Sequence, residues 1–311
     1  MNTFMQKISF SSHVTPIWKK SLWLFFFTGS FCFLSSMSEG SEQAKRLELE
    51  LDAVKHRFEN EIQGVGDQKQ IAALAIRAAS QAWLAAAAMT DQENELFDPA
   101  ESLESLQHDW DRPGSSWPDR EALGLKFYFA AVGRLAARIA LKNNDKSVAE
   151  DLREFFVISR KGLLRPTPLT EPAVEAEAKV FWSNRICTLA AALGALLLNS
   201  PQRAELDDIV EDLLNRAEIV AKRTDIHYQG KMELLYLNNS QSLTSILFLL
   251  AKSPGSPFVE EALIMEEAWL NHVDQPGTQV ADMLSLTWVT NAQIALPLVW
   301  WLAVETAPKE N

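Results

Sequence analysis

The sequence predicts an all-α fold. It reads as a tandem array of five helical hairpins with a period of about 54 residues, forming an α/α superhelix or toroid behind an N-terminal hydrophobic segment. Three observations carry this prediction. Glycine is scarce, 12 of 311 residues, while Ala and Leu are abundant, a bias that favours helix because both lose little on entering one. Helix punctuation recurs at Asp91, Asp145, Ser200, Ser253 and Ala307, at intervals of 54, 55, 53 and 54 residues. Between the turns, two kinds of helix alternate.

The first helix of each unit is acidic and amphipathic. The spacing predicts such outer helices over 41–63, 91–108, 145–163, 201–222 and 256–273. In the fourth, Leu206, Ile209, Val210, Leu213, Ala217 and Val220 make one apolar face, with Ser200 and Pro201 suited to N-cap and N1. Thr90 and Glu93 match a capping box opening the second outer helix. In the first, Leu47, Leu51, Val54 and Phe58 form a seam for pairing with another helix, in this chain or a second copy.

The second helix of each unit is apolar nearly all round, as in "IAALAIRAASQAWLAAAAM" and "LSLTWVTNAQIALPLVWWLAV". Such a helix is buried or lies in a membrane. The equivalents of the last one carry Arg77, Arg134, Arg138, Lys179 and Arg185, which argues for a buried inner helix and against a second membrane span. An aromatic three residues before an asparagine recurs at Phe181/Asn184, Tyr236/Asn239 and Trp288/Asn291. These carboxamides either bond neighbouring helices or, with Arg185 and Gln241, line a polar lumen that binds a ligand.

The turns after the outer helices are read as long loops over 106–121, 159–172, 222–232 and 271–279, all on one rim of an antiparallel array. They hold His108, His227 and His272 near Asp109, Asp111, Asp225 and Asp274. Imidazoles beside carboxylates suit proton transfer near neutrality, so His108, Asp111, Asp225, His227, His272 and Asp274 are the catalytic candidates. Trp110, Trp117 and Tyr228 add flat binding surface and join Asn184, Asn239 and Asn291 as binding candidates. Polar loops carry such residues without any function as well. No HxxxH or HExxH motif is present, so no metal and no cofactor is expected.

The stretch from Ser21 to Ser38 is uncharged, follows Lys19 and Lys20, and precedes Glu39. That is the layout of a secretory signal, with Ser36 and Ser38 placed for cleavage after residue 38; left uncleaved, residues 21–38 would act as a signal anchor. The competing reading is a buried first helix of a cytosolic protein. The expected organisation is a signal peptide or anchor over 1–38, one helical-hairpin repeat domain over 39–307 and a tail over 308–311, with the bulk exported to a periplasmic or other extracytoplasmic space. Phe31 argues against lipid attachment at Cys32. Cys187 reads as a small buried hydrophobe with no disulfide partner.

The formal net charge of −12 becomes about −15 once Lys7, Lys19 and Lys20 are removed with the leader. No basic stripe offsets it, which excludes nucleic acid as an expected partner. The balance of signals falls on an exported, envelope-associated helical-repeat protein that binds a protein or peptide in an interaction or scaffold role, rather than on catalysis. The alternative is an α/α-toroid enzyme acting on a carbohydrate or other small substrate through rim carboxylates and histidines.

Overall fold

Every described element is a helix. The computed structural model describes residues 42–90, 102–143, 201–253, 255–273 and 275–306, with the single positions 146, 194 and 197. The described residues form eight helices: α1 (Glu42–Ile62), α2 (Gln68–Thr90), α3 (Leu103–Trp110), α4 (Trp117–Lys142), α5 (Arg203–Lys222), α6 (Tyr228–Ala251), α7 (Val259–Val273) and α8 (Val280–Thr306). They belong to one unit, residues 41–311. The N-terminal segment 1–38, Cys187 and nearly all of the expected third hairpin lie outside the described residues.

The expected alternation of outer and inner helices is present in four hairpins, α1/α2, α3/α4, α5/α6 and α7/α8. Among the inner helices, α2 packs between α4 and α8, and α8 packs between α2 and α6. The first and last inner helices are therefore neighbours. The Ser285 hydroxyl donates to Gln68 Oε1 (2.7 Å) near the starts of α8 and α2. The Lys142 ammonium donates to the Glu305 carbonyl at the ends of α4 and α8.

Outer helices sit in the grooves between inner ones. Helix α3 touches α2 and α4, and α7 touches α6 and α8, in each case the preceding inner helix and its own. Helix α1 has no preceding inner helix in sequence, yet it touches α2 and α8. Its seam of Leu47, Leu51, Val54 and Phe58 is buried there, within the chain.

Alanine sets the packing distance. The buried face of α2 includes Ala72, Ala75, Ala79, Ala82 and Ala86, so its neighbours approach closely. The Ser80 hydroxyl reaches the Gly124 carbonyl across the α2/α4 contact (2.6 Å), and a Cβ on Gly124 would stand 2.9 Å from Ile76 Cγ2. Large side chains fill the space left over: Trp83, Tyr128 and Trp288 meet edge to face, at 6.3 Å and 5.9 Å from the tyrosine ring. Helix α2 is long and apolar enough to cross a membrane by composition, but its apolar stretch is almost wholly buried inside the protein. Helix α8 is buried as an inner helix over most of its length.

The structure corrects several expected boundaries. Thr90 is the last residue of α2, and its hydroxyl donates to the Ala87 carbonyl (3.0 Å); its expected partner Glu93 lies outside the described residues. The described part of the second outer helix starts at Leu103, capped by the Ser102 side chain on the Ser105 N–H (3.1 Å). Helix α5 starts at Arg203 behind Gln202, not at Pro201. Three of the four expected loops are shorter than expected, and the fourth, 159–172, lies outside the described residues. Residues 106–121 reduce to the connection 111–116, because Ser116 and Asp119 form a capping box around Pro118 and start α4 at once. Residues 222–232 reduce to 223–227, and 271–279 to 274–279.

Candidate functional site

The shorter loops move most rim candidates onto helix ends. His108 is exposed in the last turn of α3, its Nδ1 3.4 Å from Asp109 Oδ1. Asp111 is the C-cap of α3, and its carboxylate accepts from the Gln107 amide. Asp225 lies in the α5–α6 connection and takes both oxygens to Arg223. That guanidinium pulls its carboxyl down to about 2, so the group is a fixed anion at neutral pH and a poor proton donor. His227 holds the N-cap position of α6 without a side-chain cap bond. His272 sits in the last turn of α7, its Nδ1 2.9 Å from the Ala268 carbonyl of its own helix. Asp274 and Asn184, and the side chains of Tyr228 and Asn239, lie outside the described residues. Among the described residues, no three of His, Cys, Asp and Glu gather as a metal ion would require.

The structure does bring Trp110 and Trp117 together, edge to face at 6.4 Å. They belong to an arginine–tryptophan stack that joins α1, α2, α3 and α4. The Arg77 guanidinium lies 4.8 Å from the Trp110 ring, and that of Arg120 lies 5.9 Å from Trp110 and 5.0 Å from Trp117. Arg77 is only 2% exposed and pairs with Glu61. Burial first, then the nearby Arg57 and Arg120 charges against an opposing Asp111, bring its pKa down to about 10, so it stays charged at neutral pH. Gln107 completes the group, accepting from Arg57 (2.8 Å) and Gln81 (3.2 Å). Trp110 is itself buried under these cations, so its faces are occupied and closed to a sugar ring. A lone Arg within the alanine run of α2 was the sequence signal for this cluster.

Of the asparagine belt, only the Asn291 side chain is described. It is fully buried, and neither carboxamide atom meets a hydrogen-bond partner in the protein. The bonds to neighbouring helices expected for this position do not form. Such an uncompensated group costs roughly 1–3 kcal/mol. The fully buried Tyr128 hydroxyl also lacks a partner within hydrogen-bond geometry. Burial pushes its pKa far up, and the nearby Trp83 N–H opposes this only weakly.

One surface was not anticipated. On α7 the exposed residues Glu260, Leu263, Ile264, Glu267 and Leu270 follow helical spacing and make a single outward stripe. Val259, Leu263, Ile264 and Leu270 are 38%, 49%, 46% and 45% exposed, and they make up most of the large exposed apolar side chains among the described residues. The cue was present in "VEEALIMEEAWL", which is apolar on more faces than one amphipathic seam needs. No family model matches this chain, and the searches of curated proteins and of solved structures likewise found nothing similar.

Proposed function

We propose that this chain is an exported, envelope-associated helical-repeat protein whose task is to bind a protein or peptide partner. The observation that carries this reading is the outward face of α7, four large apolar side chains left open to solvent on one helix. Soluble surfaces seldom gather apolar side chains without a partner to cover them. The described rim candidates favour the same reading, since Asp111, Asp225 and His108 have recorded partners in their own helix or loop. Export rests on the signal-like run from Ser21 to Ser38.

We further propose that the five hairpins close into an α/α toroid. What supports closure is the position of α1, which uses α8 as its missing preceding inner helix. A ring of this kind presents its outer helices as a continuous circumference for contacts.

The test is site-specific photo-crosslinking in cells that express the full chain. A photoreactive residue in place of Leu263 should yield a discrete heavier adduct with a single partner, and one in place of Ile219 on α5 should not. Absence of an adduct from Leu263 and from every other outer-helix position would overturn the binding role. The enzyme reading keeps one supporting observation: α2 and α8, and α4 and α8, are bonded at matching ends, as expected if the connections before them share a rim. Turnover of any carbohydrate that is lost in His227→Ala would favour it.

A further inference from the structure

We infer that the outward face of α7 receives a basic amphipathic helix of the partner. This rests on the protein-binding reading above and adds the chemistry of what is bound. Helix α7 carries Glu260, Glu261, Glu266 and Glu267 and no lysine or arginine. Glu266 turns inward to the Lys252 ammonium. Among the described residues no cation pairs with Glu260, Glu261 or Glu267. Three unneutralised carboxylates therefore border Val259, Leu263, Ile264 and Leu270.

The pattern selects among occupants. Glu260 and Glu267 stand in the same stripe as the apolar residues, two turns apart, or about 10 Å along the axis. Sinking this face into lipid would carry both carboxylates into hydrocarbon, at a high desolvation cost. A second copy of α7 would set glutamates against glutamates. A helix with lysines or arginines seven residues apart and leucine-type residues between them satisfies both features at once, as an amphipathic helix does on an apolar groove. The net charge of −12 would speed its approach.

The test uses the full chain and a fluorescent 18-residue Leu/Lys amphipathic peptide, read by anisotropy, with the matching Leu/Glu peptide as control. Wild-type protein should bind the Leu/Lys peptide and not the Leu/Glu peptide. Affinity should fall about tenfold or more in Glu260→Lys/Glu267→Lys and in Leu263→Ser/Ile264→Ser, a difference expected for central interface residues. The charge-reversed variant should gain the Leu/Glu peptide, a result that misfolding would not produce. Ile219→Ser should bind as wild type. Unchanged affinity in both α7 variants overturns the inference, and so does loss in the charge variant alone, which would mark a mere acidic patch. Association of copies that Leu263→Ser/Ile264→Ser abolishes, or vesicle binding by the same face without peptide binding, also overturns it. If α7 crosslinks to a partner segment that is not a basic helix, this inference fails while the protein-binding reading stands. If no outer-helix position crosslinks to any partner, the reading itself fails.

Discussion

Helices α5 and α7 are both packed on α6, and they meet solvent in opposite ways. The outward face of α5 is charged: Glu205, Asp207, Asp208, Glu211, Asp212 and Arg216 are exposed, and among its described side chains Ile219 is the one large exposed hydrophobe. Three of its six acids are answered within the helix, by Arg203–Asp207 at 3.7 Å, Arg216–Asp212 at 2.7 Å and Lys222–Glu218 at 2.7 Å. Helix α7 has no such cations and turns Leu263, Ile264 and Leu270 outward. The inward side of the two is the same in kind, with Leu206 buried on α5 and Ala262 and Trp269 buried on α7. The comparison separates two jobs of one helix type. The inner face attaches the helix to the array, and the outer face is free to be either a solvated surface or a docking surface.

The inner faces should give the largest effects. Trp269 is nearly buried and packs edge to face on Phe248 at 6.4 Å. Trp269→Ala should cost about 3–5 kcal/mol in denaturant unfolding, and Leu206→Ala on α5 about 2–5 kcal/mol. If α7 loses much less than this, it is not attached as α5 is, and the comparison breaks.

Next comes the point where the two helices share a residue. The Lys252 carbonyl accepts from Gln202 at the start of α5 (3.3 Å), and its ammonium bonds Glu266 of α7. Lys252→Met should cost about 1 kcal/mol or less, since both groups keep partial access to water. Smaller again is Arg216→Ala on α5, expected to cost about 0.3–0.5 kcal/mol at low salt and to vanish at high salt.

Leu263→Ser/Ile264→Ser should cost no more than about 1 kcal/mol in unfolding, well below either inner-face change, because each residue already keeps about half its area in water. A clear destabilisation would place them in the core of the array and remove the basis for docking. Last is Asp225, after the end of α5. Its carboxyl is lowered by Arg223, so any stability it adds is present above the unfolded value of 3.8 and is lost as pH falls towards about 2. Asp225→Asn should flatten the acid limb of the unfolding profile in that window, so that any difference from wild type is seen at neutral pH and disappears below about pH 2.

The helical class was legible because its signals are local and follow the helical period. Apolar positions at helical spacing placed all the described helices, and the inner/outer distinction followed from how many faces were apolar. Boundaries were misread where a polar residue or a proline can either leave a helix or start one. Ser116 and Asp119 look like loop residues until they cap α4, and Pro201 looks like a helix start until α5 opens at Arg203. The rim candidates were found as residue types, but their relations were not. Trp110 and Trp117 touch directly and share Arg120, and Trp110 also lies against Arg77, which comes from a helix more than thirty residues earlier. The open face of α7 was missed for the converse reason: an apolar residue on an outer helix is assigned to the seam by default.

By itself the sequence determined the helical class, the alternation of acidic outer and apolar inner helices, and the signal-like N-terminal run, since each is set by composition or by short-range spacing. Only the tertiary structure decided which faces are covered. That α1 lies across α2 and α8, that Asn291 is buried without a partner, and that Leu263 and Ile264 stay in water all depend on what stands opposite. Burial is a property of two surfaces brought together across long stretches of chain, and no local pattern specifies the second surface.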